Sequence, residues 1–284
     1  MEILRTVTEL RQWSRELRAE TNTIGLVPTM GALHAGHASL IRAAVASGRA
    51  VVSIFVNPTQ FGPNEDYAVY PRSFEADCAL AESEGANAVF APSVEEMYPP
   101  GAATFVEVER LSGCLDGRSR PGHFRGVATV VAKLLIASEA DRAFFGQKDA
   151  AQVAVLRRMV ADLRLGAEIV VCPIVRDPDG LALSSRNAYL SPAERTQALT
   201  LSRAIRQAEA MVAAGERRAA VLIESASQTF AAVPAISVDY IELVNWATLE
   251  PVETAAPGTL FAVAAWVGAT RLIDNTVLPL RTAE

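Results

Sequence analysis

Apolar positions in the first 173 residues fall into short runs separated by longer amphipathic stretches. Residues 23–29 read as a strand, and 50–57 (Ala-Val-Val-Ser-Ile-Phe-Val-Asn) form a nearly continuous apolar run rich in β-branched residues, as in a buried parallel strand. Shorter strand signals lie at 87–91, 104–108, 142–145 and 167–172. Between them, 37–47, 73–84, 124–137 and 148–163 carry helical patterning, with Gly85 placed to end the second helix. This alternation predicts an α/β fold: a parallel sheet with right-handed crossovers and helices on both faces. After the turn signal Asp177-Pro178-Asp179-Gly180 the order changes. Helices are predicted over 192–214 and 217–232, then strands over 237–244, 260–267 and 270–277, the last two joined by Gly268-Ala269. Helices followed by strands predict a smaller α+β domain with an antiparallel sheet. The expected domains are 1–176 and 177–284.

Composition narrows the class. A chain of 284 residues holds one large domain or two ordinary ones, and with half of it hydrophobic it can build a sizeable core. The net charge of −6, from 32 acidic and 26 basic residues, argues against a nucleic-acid partner. A local basic pocket for a small anion remains compatible with it. Cys78, Cys114 and Cys172 are far apart and form no Cys-x-x-Cys pair, which fits a reducing compartment. The charged N-terminus lacks a signal-peptide core, and the apolar run 127–137 contains Lys133 and is too short to span a bilayer. A cytoplasmic protein without a membrane partner is expected.

In open parallel sheets ligands bind beyond the carboxyl ends of the strands. That rule points to the segments after Thr29, Asn57, Phe145 and Pro173. The first is Met30-Gly31-Ala32-Leu33-His34-Ala35-Gly36-His37, two imidazoles three residues apart where a strand hands over to a helix. They suit a phosphate cradle beside the helix N–H groups, or serve only as helix caps. A zinc site would need His123 as third ligand, and no Asp, Glu or Cys lies close by in sequence. Asn57-Pro58-Thr59-Gln60 offers amides for a carboxylate or hydroxyl, or ordinary turn chemistry. Gly146-Gln147-Lys148-Asp149 puts a lysine at a helix start, where an anion would explain it, although a solvated charge is equally compatible. Gln152 lies one turn on. Leu183-Ser184-Ser185-Arg186-Asn187 combines hydroxyls with a guanidinium, donors that suit a triphosphate, or forms a helix-capping loop. Arg120-Pro121-Gly122-His123-Phe124-Arg125-Gly126 opens the apolar helix and leaves His123 and the arginines spare.

Together these segments resemble the pantoate–β-alanine ligase (pantothenate synthetase) family of the His-x-Gly-His nucleotidylyltransferases. The likeness is carried by residues 28–37, 55–61, 122–127, 145–149 and 183–187 and covers nearly the whole chain. It implies a Rossmann-like domain, a C-terminal lid, a homodimer and Mg²⁺-ATP, with pantothenate formed from pantoate and β-alanine and AMP and pyrophosphate released. It assigns ATP to Met30, Gly31, Ala32, Leu33, His34, Ala35, Gly36, His37, Gly146, Gln147, Lys148, Asp149, Val175, Leu183, Ser184, Ser185 and Arg186. It assigns pantoate to Gln60 and Gln152, with Gln60 also meeting β-alanine, and implies no protein-held metal site. His37, His34, Lys148, Ser184, Ser185 and Arg186 are the expected catalytic donors. Two departures stand out: Ala35 where the family often has Glu, and Ala150-Ala151 where Tyr-Gln often follows Lys-Asp.

Overall fold

The computed structural model describes residues 1–20, 22–63 and 65–279. The chain divides into two compact units, one of residues 1–147 with 155–173, the other of 148–154 with the chain from 174 on. The change of unit at 173/174 lies three residues before the boundary read from the sequence pattern, and one short segment, 148–154, groups with the later chain.

The first unit contains β1 (Glu2–Leu4), α1 (Val7–Ala19), β2 (Ile24–Thr29), α2 (Ala35–Ser47), β3 (Arg49–Ile54), α3 (Phe74–Ser83) and β4 (Ala88–Phe90). There follow the short α4 (Val94–Met97) and α5 (Asp116–Ser119), then α6 (His123–Ser138), β5 (Arg142–Gly146), most of α7 (Ala150–Asp162) and β6 (Glu168–Cys172). Its six strands are parallel in the order β1-β4-β3-β2-β5-β6. From β2 the chain builds β3 and β4 to one side, then crosses to place β5 and β6 on the other. The order therefore reverses between β2 and β5, where such sheets place their ligands.

Alternating strand residues build the core. Val27, Ala50, Val52, Val89 and Phe144 pack with Leu40, Ile41 and Ala44 of α2 and Ala81 of α3. Helix α6 is buried almost all round, as its unbroken apolar sequence requires, and it packs on α1 and β2. Helix α1 starts at a capping box in which Thr6 and Glu9 each bond the other's backbone.

Residues 104–108, expected to be a strand, belong to no strand or helix. Val106 N–H instead donates to Thr129 Oγ1 at 2.9 Å, and Arg125 stacks on the half-exposed Phe105 ring at 4.0 Å. The β-branched composition supplied the propensity, but propensity alone does not make a strand without ladder pairing.

The second unit contains α8 (Pro192–Ala213), α9 (Ala219–Ala231), β7 (Ile236–Asn245), β8 (Thr259–Val267) and β9 (Thr270–Val277). The strands form an antiparallel sheet with β8 in the centre. Leu201 and Ile205 of α8 and Leu222 and Phe230 of α9 pack with Phe261 and Val263 of β8. Ser191 caps α8 with Pro192 at its first position and Glu194 closing the box. Among the described residues no helix is long and apolar enough to cross a membrane, and none of the three cysteines is in a disulfide.

Candidate active site

In the first unit the chain leaves β2 through Met30 into a left-handed turn, with φ of 83° at Gly31 and 50° at Ala32. Thr29 anchors its start: its hydroxyl donates to Ser53 O at 2.7 Å and accepts Gly31 N–H at 3.2 Å. Asp77 of α3, 2% exposed, anchors its end. One carboxylate oxygen accepts Ala32 N–H at 3.0 Å, and the other accepts Leu33 N–H at 2.8 Å and the Ser73 hydroxyl at 3.1 Å. A Cβ on Gly31 would lie 2.9 Å from Asp77 Oδ2, so the carboxylate reaches the turn because glycine is there.

His34 is the N-cap of α2, which begins two residues earlier than its apolar pattern suggests. His34 Nδ1 accepts Gly36 N–H at 3.1 Å, and His37 Nδ1 accepts His34 N–H at 3.3 Å. The two rings face each other with centroids 4.2 Å apart. Both side chains thus take part in capping α2. An Nδ1 that accepts leaves the neutral ring's proton on Nε2, so each neutral imidazole donates from there. Most backbone N–H groups beside the two imidazoles are taken up by the turn itself and by Asp77. Those of Gly31, Ala32, Leu33, His34 and Gly36 all have intramolecular acceptors. Ala35, between the histidines, is exposed.

The Asp77 contacts make a direct prediction. Asp77→Asn turns one acceptor into a donor facing backbone N–H or the Ser73 hydroxyl. Stability should fall by about 1–3 kcal/mol, the cost of a buried polar group left unsatisfied. An unchanged denaturant midpoint would show that these bonds do not hold the turn.

Beyond β3, Asn57 caps a 3-10 turn over Pro58–Gln60. Gln60 is buried, with Nε2 3.0 Å from Met30 Sδ, so the loops after β2 and β3 meet here. Helix α6 presses on this turn through Gly126, where a Cβ would come within 2.3 Å of Thr59 O and 2.6 Å of Gln60 Cα.

His123 sits at the same place in a different role. Its Nδ1 is 2.8 Å from Gln60 O, and its Nε2 is 3.0 Å from an Arg120 nitrogen. The carbonyl only accepts and the guanidinium only donates, so His123 is the neutral Nδ1–H form. Arg120 in turn grips Glu65 with bonds of 2.8 and 2.5 Å. Burial alone would push the Glu65 carboxyl up, but Arg120 outweighs it and holds the carboxyl below its ordinary value. With both ring nitrogens bound this way, His123 braces the Gln60 main chain and does not complete a zinc triad with His34 and His37.

In the second unit Lys148 and Asp149 lie in a 3-10 turn that runs into α7. Asn275 Nδ2 donates to Lys148 O at 2.8 Å, and Trp246 Nε1 donates to Ala150 O at 2.9 Å. The Lys148 ammonium lies 3.6 Å from Asp149, and the Lys148 side chain is 20% exposed. Ala150 and Ala151 are both buried, and Gln152 is partly buried.

Residues 175–183 form a hairpin that places distant sequence positions side by side. Leu183 N–H donates to Val175 O at 3.0 Å, and Arg176 bridges Ala182. Arg176 makes paired bonds of 2.6 and 2.8 Å to the buried Asp274 of β9. The hairpin delivers the chain to Ser184, whose hydroxyl caps the 3-10 turn Ser185–Tyr189 by accepting Arg186 N–H at 3.3 Å. Ser184 is therefore a cap of its own loop, while Ser191 caps α8.

A family model described as pantoate-beta-alanine ligase matches residues 2–277. The chain belongs to the pantoate–β-alanine ligase family. A pantothenate synthetase from Acidobacterium capsulatum is 61% identical over 285 residues, covering 96% of this chain and 95% of its own. The crystal structure of pantothenate synthetase from Thermus thermophilus has a TM-score of 0.93 and 45% identity, covering 98% of this chain and 100% of its own. That of the Francisella tularensis pantoate-beta-alanine ligase, solved with beta-gamma ATP and beta-alanine, has a TM-score of 0.79 and 34% identity, covering 98% and 97%. Asp77, Asp274 and Asn275 support the family's segments without belonging to its recognised motifs. The segments they support lie 44 or more residues away, so no spacing in the sequence could have pointed to them.

Proposed function

We propose that this chain, as an AMP-forming carbon–nitrogen ligase, joins pantoate to β-alanine in two steps through a pantoyl-adenylate. The reading rests on the family match over residues 2–277, and it gives His34, His37, Gln60, Lys148, Gln152 and Ser184-Ser185-Arg186 the roles that the sequence resemblance implies.

In the first step the pantoate carboxylate attacks the α-phosphorus of ATP, and the bond to pyrophosphate breaks. A carboxylate is already nucleophilic, so this step needs no general base. The protein's part is alignment and neutralisation of charge on the α-phosphate and the leaving group. The Nε2–H groups of His34 and His37, the Lys148 ammonium, the Ser184 and Ser185 hydroxyls and the Arg186 guanidinium are the donors of the proposal. Gln60 and Gln152 hold pantoate. In the second step the β-alanine amine attacks the acyl carbon, AMP leaves, and the nitrogen loses a proton.

Mg²⁺ enters this proposal with ATP, where it would neutralise phosphate charge. Of the segments assigned to ATP, only Asp149 carries a carboxylate, the ligand type Mg²⁺ takes, so it is the residue there suited to share the ion. The same reading includes a homodimer and a cytoplasmic setting.

Radiolabelled pyrophosphate should exchange into ATP when pantoate is present, without β-alanine. Folded protein that forms pantothenate yet shows no such exchange would rule out a released pyrophosphate in the first step. Release of AMP that depends on β-alanine separates ligation from a transferase that stops at the adenylate.

A further inference from the structure

The amide of Gln60 could face a substrate with either end, and a donor and an acceptor select opposite chemistry. Hydrogen bonding in the first unit decides between them. Asn57, 1% exposed, is fixed by two backbone groups of known polarity. Thr59 N–H, which only donates, lies 3.3 Å from Asn57 Oδ1, and Gly126 O, which only accepts, lies 3.2 Å from Asn57 Nδ2. Asn57 Nδ2 also faces the Gln60 amide at 3.0 Å, so the Gln60 atom there is the acceptor Oε1. The donor Nε2 is consequently the end beside Met30, the first residue after β2. Sulfur is a weak acceptor that a carboxylate or hydroxyl oxygen would replace readily.

Tyr98, at the end of α4, closes the chain of bonds. Its hydroxyl donates to Asn57 Oδ1 at 2.8 Å and lies 3.1 Å from Thr59 Oγ1, which also donates to Asn57 Oδ1 at 2.9 Å. Lys133 holds the ring: its ammonium sits 4.5 Å from the ring centroid and donates to Met97 O at 2.5 Å. Burial pushes the Tyr98 phenol above its ordinary value, which keeps the hydroxyl a donor. Tyr98 and Gln60 come from separate loops and act on the same asparagine from opposite ends.

We propose that Tyr98 is a positioning residue that, through Asn57, turns the donor end of the Gln60 amide toward the bound acid substrate. The inference rests on Gln60 holding pantoate, as proposed above. It makes the site selective for an oxygen acceptor at this point and unfavourable to an ammonium.

The test is a pair of substitutions and their combination. Tyr98→Phe keeps the ring and removes the hydroxyl. It should raise the KM for pantoate about 3- to 10-fold, the weight of one net hydrogen bond, and leave the KM for ATP unchanged. On a Gln60→Ala background, which raises the pantoate KM by itself, Tyr98→Phe should add nothing. An equal effect on both backgrounds, or a parallel change in both KM values, would overturn the relay. Gln60→Ala without effect on pantoate would overturn the Gln60 assignment and this inference with it. Gln60→Glu tests polarity without touching Tyr98. It still offers Asn57 an acceptor but sets a carboxylate where the donor stood, so it should weaken pantoate more than Gln60→Ala. Wild-type pantoate KM in Gln60→Glu would refute the donor orientation.

Discussion

Replacing Lys148 with alanine is expected to lower turnover roughly 10²- to 10³-fold, the usual loss when one preorganised donor to a developing charge is removed. The fold should survive. The main chain at this residue is held from outside the side chain, by Asn275 on Lys148 O at 2.8 Å. The ammonium's pairing with Asp149 at 3.6 Å involves a half-exposed carboxylate and contributes little to stability. Single-turnover formation of AMP, beside a thermal unfolding curve, checks both parts. Turnover at the wild-type rate would remove Lys148 from the catalytic donors. A raised KM for ATP with unchanged kcat would place the residue in ground-state binding alone. Arginine is not expected to restore the rate, because its planar fork cannot place a compact charge at the same point.

Asp274→Ala should be among the most damaging single changes to stability, by roughly 3–5 kcal/mol, because it strips the partly buried Arg176 charge of its buried partner. Asp274 is 2% exposed and the Arg176 side chain 28%. Burial works against the Arg176 charge, and the paired bonds to Asp274 more than offset this, raising its pKa above the ordinary arginine value. Arg176 Nη1 also donates to Gly180 O at 3.2 Å, so the same guanidinium fastens the tip of the 175–183 hairpin. Loss of Asp274 should therefore loosen Val175 and Leu183 before the whole unit unfolds. Chemical denaturation measures the first effect, and amide exchange at Leu183, whose N–H bonds Val175 O, measures the second. A change below about 1 kcal/mol would mean that solvent replaces the carboxylate. Pairing Asp274→Leu with Arg176→Met should recover much of the loss, since an apolar pair avoids the desolvation that an ion pair must overcome.

The layered architecture is legible in the sequence because it follows from periodicity. The pattern places strand 270–277 to the residue, and most other elements within one or two. Besides the one-turn α4 and α5, which it does not mark, the pattern fails at two places for different reasons. β1 and α1 lie before the first strong strand run, although Thr6-Val7-Thr8-Glu9 spells a capping box. At 104–108 local propensity points to a strand, but only ladder pairing makes one, and pairing is set by distant chain. The site divides along the same line. His34, His37, Gln60, Lys148 and the Ser184–Arg186 run are visible in the sequence as polar residues in segments that follow strand signals. Asp77 reads as an ordinary acid in the first turn of a helix, and Tyr98 as a tyrosine before a proline. Their meaning comes from partners 44 and 41 residues away.

Gly126 sets a different kind of limit. Because α6 meets the turn at Thr59 and Gln60 backbone to backbone, how closely the two can approach is gauged by main-chain atoms. Core side chains can drift in size during evolution and be compensated by neighbours. A gauge made of peptide groups has nothing to trade. Position 126 should therefore accept no second residue type while α6 and the turn keep their places, and even a methyl group there would displace Gln60 instead of merely crowding it.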